Sequence, residues 1–154
     1  MSKRSTQHVT FVIERDYPFP PARVYAAWAD PAAKAQWFAG PAGKWSQQRR
    51  EMDFRIGGRE RVRGKFVDGW VSDFDACYHD IVQDERIVYS YTMHVDEKKI
   101  SVSLATVEFK HAGAGTRLVF TEQGAYLDGY DDSGKREQGT AALLDNLDRE
   151  LKRQ

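Results

Sequence analysis

Glu122 is the residue of this sequence whose surroundings most suggest acid–base chemistry. It follows Leu118 and Phe120 at intervals of two. Side chains two apart on a strand share a face, so Glu122 should point inward with them. A buried carboxylate has to be paired or shifted in pKa. It would then serve as a general acid or base, or as a polar anchor for a ligand. At a strand end it would instead reach solvent. Arg61 is a partner that would hold its pKa down, and Arg61 and Glu60 are lesser candidates of the same kind. Cys77 and His79 also share a strand face, but two ligands are too few for a zinc site. Same-face neighbours on a strand also rarely orient a thiol and an imidazole for proton transfer. The acidic loop Asp128-Gly129-Tyr130-Asp131-Asp132-Ser133-Gly134 lacks the calcium-loop spacing and reads as a lid or a plain connector. No glycine-rich phosphate loop and no nucleophile elbow occurs, so no catalytic motif is recognisable.

A second group of residues suggests an apolar binding site. Tyr89, Tyr91 and Met93 alternate on one strand face, Trp37 and Phe38 end a short helix, and Trp70 follows the Asp68-Gly69 turn. Aromatic rings dominate apolar ligand pockets, and tyrosine hydroxyls orient what they hold. The plain alternative for each is ordinary core packing. Near the C-terminus, Gly139, Thr140, Ala141 and Ala142 precede Leu143, Leu144, Leu147 and Leu151. Small residues first and large ones after suggest a helix whose first half lines a pocket and whose second half plugs a core. The expected lining is Trp37, Phe38, Trp70, Tyr89, Tyr91, Phe120, Glu122, Gly139, Ala142 and Leu143.

These residues must be positioned by strands and one long helix. Val9, Phe11, Ile13 and Tyr17 mark a first strand over residues 7–17, stopped by Pro18-Phe19-Pro20-Pro21. Pro21 opens one short helix, and Asp30-Pro31 restarts a second over residues 32–38. Strands follow over residues 45–56, 60–67, 71–82, 86–95, 99–111 and 116–123, separated by short turns. Asp68-Gly69 is a strong hairpin turn signal. In the sixth strand Ile100, Val102 and Leu104 are even whereas Val107 and Phe109 are odd, which predicts a bulge between them. The last helix spans residues 135–152, with small or apolar residues at 140, 144, 147 and 151. A single long helix facing a large sheet has to be wrapped by it for both to be buried. The fold class is α+β: a curved antiparallel sheet of six to seven strands around the C-terminal helix, with two short helices after strand 1.

Composition narrows the function. Lys+Arg and Asp+Glu are both 23, so the formal net charge is zero. A nucleic-acid binder would show a basic excess. The basic run Arg49, Arg50, Arg55, Arg59, Arg61, Arg63 and Lys65 is interleaved with Glu51, Asp53 and Glu60 and reads as the solvated face of a hairpin. One cysteine excludes an internal disulfide. The polar opening at residues 1–8 has no apolar core of a signal peptide, and no run approaches the ~20 apolar residues of a membrane span. A cytoplasmic protein is expected, with residues 1–154 forming one domain.

The element order resembles the START-like, or SRPBCC, helix-grip superfamily. The wording resembles its Hsp-90 ATPase activator-like branch, related to polyketide cyclases. The matching residues are Pro20-Pro21-Ala22-Arg23-Val24-Tyr25-Ala26-Ala27-Trp28, Asp30-Pro31, Trp37-Phe38 and Gly57-Gly58. Tyr78-His79-Asp80-Ile81-Val82, Glu85-Arg86-Ile87-Val88-Tyr89, Gly115-Thr116-Arg117-Leu118 and the final helix complete them. Many relatives carry a Gly-Trp pair at the start of that helix. Here Gln138-Gly139-Thr140 lacks the ring, so the mouth is more open or is filled by Tyr126 or Tyr130.

The resemblance implies a cavity between sheet and helix that binds a small hydrophobic or aromatic molecule. Two alternatives stay open. One is a cofactor-free cyclase, dehydratase or hydrolase in the same cavity, with Glu122 as its catalytic candidate. The other is a co-chaperone of the Hsp-90 type, or another protein-interaction module. No cofactor or metal is expected, nor a nucleic-acid partner. A chaperone and a homodimer partner remain open.

Overall fold

The computed structural model describes residues 4–154 of the chain. Residues 1–3 of the polar opening stretch lie outside the described residues. Strand β1 (Thr6–Tyr17) ends where the prolines begin. Helix α1 (Pro21–Ala29) has Pro21 in its first turn, where no backbone N–H is needed. Asp30 ends α1 and opens α2 (Pro31–Trp37), its carboxylate accepting from the Ala33 N–H at 3.2 Å. One residue thus turns the chain and caps the second helix.

Six strands follow: β2 (Trp45–Met52), β3 (Arg59–Phe66), β4 (Val71–Val82), β5 (Arg86–Val95), β6 (Lys98–Ala112) and β7 (Gly115–Leu127). The sheet order is β1-β7-β6-β5-β4-β3-β2 and every pairing is antiparallel. The first strand therefore returns to pair with the last. Asp96 and Glu97 join β5 to β6 with φ of 49° and 71°. Two successive positive φ angles make the mirror-image turn that suits the strands' right-handed twist.

The curved sheet grips α3 (Ser133–Arg153) on its concave side. Asp132 caps α3, accepting from the Lys135 N–H at 2.8 Å. Thr140, Leu144, Leu147 and Leu151 form the buried stripe. Tyr17 of β1 donates its hydroxyl to the Leu144 carbonyl at 2.9 Å. The core beneath the helix holds Phe11, Ile13, Val24, Trp28, Leu118 and Phe120.

Two strand readings are corrected. β2 stops at Met52, because residues 53–58 form a turn tied by Gly57 N–H to Tyr78 O at 2.8 Å. Ile56 is consequently 60% exposed and does not extend the buried face of the strand. In β6 the buried residues are Ser101, Ser103, Ala105, Val107 and Phe109, in one phase, while Val102 and Leu104 face outward at 42% and 40% exposure. The slip lies earlier, at Ile100, where the β5–β6 register shifts between Met93 and His94. Two serines face inward because bulky polar side chains are packed over them.

Candidate functional site

A cavity of about 1030 Å³ lies between α3 and the sheet. Strands β3–β5 and β7 form its floor, and α2 with residues 38–45 forms one wall. Trp28 and Trp37 meet edge to face at 4.8 Å between ring centroids, and Trp28 stacks over Phe120 at 6.4 Å. Phe74 links Phe38 at 5.1 Å to Tyr91 at 4.8 Å. Trp45 closes the wall lying flat on two glycines: a Cβ at Gly64 would stand 1.8 Å from its indole nitrogen, and one at Gly40 would be 2.4 Å from its ring.

Of the residues expected to line a pocket, Trp37, Phe38, Tyr89, Tyr91, Phe120, Glu122, Gly139, Ala142 and Leu143 border this cavity. Trp70 does not. It stacks at 3.7 Å on Phe66, which does border the cavity, because the β3–β4 turn folds Trp70 back over its own hairpin. Neither Tyr126 nor Tyr130 fills the mouth. Tyr126 is buried under Arg136, whose guanidinium carbon is 5.4 Å from its ring centroid, and Tyr130 is exposed beside Lys98.

The deep end is polar. Glu122 points inward and is 1% exposed. The Tyr91 hydroxyl stands 2.8 and 2.9 Å from its two oxygens. Its ionic partner is Arg136 of α3, with Nη1 at 3.6 Å, and not Arg61. Arg61 faces the opposite side of the sheet, 3.6 Å from Asp75, because β3 turns Glu60 and Val62 inward and Arg61 outward. Arg136 donates to the Tyr91 hydroxyl at 2.9 Å, to Ser101 at 2.8 Å and to Asp131 at 2.9 Å.

Burial pushes the Glu122 carboxyl above the ordinary carboxylate range, although Arg136 and the Tyr91 hydroxyl pull the other way. Burial, and then the Glu122 charge, raise the Tyr91 phenol well above an ordinary tyrosine. Burial disfavours the Arg136 cation, but Tyr91, Glu122 and Asp131 outweigh it and keep the guanidinium charged. Burial raises the Tyr126 phenol to about 12.

A second charged cluster lies under the aromatic wall. Lys34 of α2 and Glu60 of β3 are each 1% exposed and meet at 2.6 Å. Tyr78 donates to the same Glu60 oxygen at 2.6 Å, while the other oxygen has no protein partner. The ammonium lies 4.4 Å from the centroid of the Phe38 ring and 5.6 Å from that of Tyr89. Burial pulls the Lys34 pKa below that of an ordinary lysine, against the attraction of Glu60.

The remaining sequence candidates lie elsewhere. A ring nitrogen of His79 meets the Ser90 hydroxyl at 2.7 Å beside a break in the β4–β5 register. Cys77 is half-buried and free. Among the described residues no group of three or more His, Cys, Asp or Glu is placed to hold a metal. In the basic hairpin Arg59 pairs with Asp75 and Arg63 with Asp73, both at 2.7 Å.

Sequence reasoning missed Arg136, Phe74, Trp28 and Trp45. Arg136 sits one turn before Thr140 on the buried stripe of α3, a signal masked by its charge. Phe74 alternates with Ala76 and Tyr78 on β4 and was open to the same period-two reading.

The model of the activator of Hsp90 ATPase homolog 1-like proteins matches residues 18–152. The chain belongs to that family. This AHSA1-like chain is similar to a solved structure from Rhizobium leguminosarum, with 48% identity over 99% of this chain and 100% of the other, at a TM-score of 0.94. It is also similar to Mll3558 from Rhizobium loti, with 44% identity over 95% of this chain and 99% of the other, at a TM-score of 0.87. An AHSA1-like protein of Aeromonas hydrophila is 22% identical over 94% and 92% of the two chains, with a TM-score of 0.71, and shares the fold. No curated protein matches the chain. Among the described residues no helix is long and apolar enough to cross a membrane.

Proposed function

We propose that this AHSA1-like chain binds a small hydrophobic or aromatic molecule in the cavity between α3 and the sheet. The observation that carries this reading is a large opening walled by packed aromatic rings, with Glu122, Tyr91 and Arg136 joined at one end and further polar side chains along the α3 flank. Apolar walls supply affinity, and a few convergent polar groups fix orientation. Trp37, Phe38, Tyr89, Tyr91, Phe120 and Leu143 would contact the body of the ligand, with Glu122 at its polar end. Gly139 and Ala142 would border its path in.

Native mass spectrometry of protein taken from its own host should show a co-purifying small molecule. Ala142 is exposed on α3 at the mouth, so Ala142→Trp should keep the fold and lose that adduct. An adduct retained by the folded variant would refute this placement of the site. A second reading is favoured by one observation: a carboxyl with a raised pKa beside a tyrosine hydroxyl is suited to proton transfer. A cofactor-free enzyme would turn over the co-purified molecule, and Glu122→Gln would stop turnover while binding persists.

A further inference from the structure

The hydrogens at the deep end can be counted. A carboxylate accepts at about four lone-pair positions. Tyr91 has one hydroxyl hydrogen, so although its oxygen is 2.8 and 2.9 Å from both Glu122 oxygens it feeds one at a time. Arg136 Nη1 is 3.6 Å from Glu122, beyond hydrogen-bond reach, and directs a hydrogen to the Tyr91 oxygen at 2.9 Å. Arg136 Nη2 is committed to Ser101 and Asp131. The Ser103 hydroxyl on the neighbouring strand and the Arg136 guanidinium are weaker partners, each helping to pull the Glu122 carboxyl down. Glu122 thus has one donor at short range, Tyr91, for about four acceptor positions, and it borders the cavity.

Charge points the same way. The two carboxylates Glu122 and Asp131 face the single cation Arg136, leaving the deep end one negative charge in excess. The cations Lys135, Arg149 and Arg153 lie along the α3 flank of the cavity, Arg153 paired with Glu150. An anionic group is thus compatible with that flank but not with the floor at Glu122.

We propose that the group a ligand presents to Glu122 is a hydrogen-bond donor, a hydroxyl or an amine, and that carboxylates and phosphates are rejected there. This rests on the binding function proposed above. Such a donor supplies what Glu122 lacks, whereas an anion would meet uncompensated negative charge in a desolvated site.

The experiment is equilibrium dialysis of the full chain with a set of pyrenes: pyrene, 1-pyrenemethanol, its methyl ether, 1-pyrenemethylamine and pyrene-1-carboxylate. Pyrene itself should bind. The alcohol should bind about tenfold tighter than the ether, which keeps the oxygen but caps the donor. The amine should gain at least as much, and Glu122→Gln should weaken the amine several-fold more than it weakens pyrene. The carboxylate should be unaffected or improved by that substitution. Alcohol and ether binding alike in the wild-type protein would overturn the donor assignment and leave the apolar cavity standing. A carboxylate that binds tightest and weakens in Glu122→Gln would overturn it as well. Failure of every pyrene to bind would overturn the binding function and this inference with it.

Discussion

Removing the Lys34 ammonium with Lys34→Met should cost this protein far more than removing a surface charge. Lys34 and Glu60 are each 1% exposed, at 2.6 Å from one another. The substitution would leave the buried Glu60 carboxyl without its counter-ion, with Tyr78 as its one hydrogen-bond donor at 2.6 Å. Breaking a buried pair in this way costs about 3–5 kcal/mol. With a urea slope of about 2 kcal/mol/M for a chain of this size, the midpoint should fall by roughly 1.5–2.5 M. Glu60→Gln should be comparably harmful, because the ammonium then lacks its counter-charge. The double variant Lys34→Met/Glu60→Gln carries neither charge and keeps an acceptor for Tyr78. It should be more stable than the sum of the two single losses by about 2 kcal/mol or more. Urea titrations followed by circular dichroism on the wild type and the three variants close the cycle. Single losses under about 1 kcal/mol, the worth of an exposed pair, would show that the two charges are not desolvated. Strict additivity would refute the reasoning as well.

The raised Glu122 pKa sets a sign for pH dependence. The native state holds that proton more tightly than the unfolded chain, so Glu122's contribution to stability is fully present below ~4.3 and is lost as pH rises through the native value. The groups facing it, Tyr91 from β5 and Arg136 from α3 with its partner Asp131, are retained in Glu122→Gln. The stability difference between wild type and variant, from urea midpoints between pH 4 and 7, should therefore shift against the wild type as pH rises; the opposite trend would contradict the burial. Gly64→Ala should lose about 1–3 kcal/mol by overpacking, since the new Cβ would fall 1.8 Å from the Trp45 indole nitrogen. It should also reduce pyrene uptake, and a folded variant with unaltered uptake would show that Trp45 does not set the wall.

Strand alternation, proline stops and the small-then-large spacing of the last helix made the fold legible in the sequence. Glu122 was legible for the same reason, because Leu118 and Phe120 set its phase. Its partner was not. Arg136 looks like any solvated helix charge until the sheet brings Tyr91, Ser101 and Glu122 to meet it, and that meeting is a long-range event. The misread phase of β6 has the same origin. Ser101 and Ser103 face inward to accommodate a guanidinium and tyrosines, so the usual polarity of the strand is reversed at the site and Val102 and Leu104 are left outside. Trp45 depends on Gly40 and Gly64, whose missing side chains give no hydrophobic signal. Trp70 shows the converse, since an aromatic next to a turn can stack on its own hairpin and never reach the cavity.

The placement of the tryptophans has an optical consequence. Of the 4 in the chain, Trp28, Trp37 and Trp45 border the cavity, and Trp70 is held against Phe66 outside it. Three of the four indoles thus stand in the walls that an occupant would touch. A bound chromophore that absorbs where indole emits would quench that light by energy transfer, while a transparent occupant would shift its colour by displacing water. The chain is in effect a label-free sensor of its own contents, suited to screening cell extracts fraction by fraction.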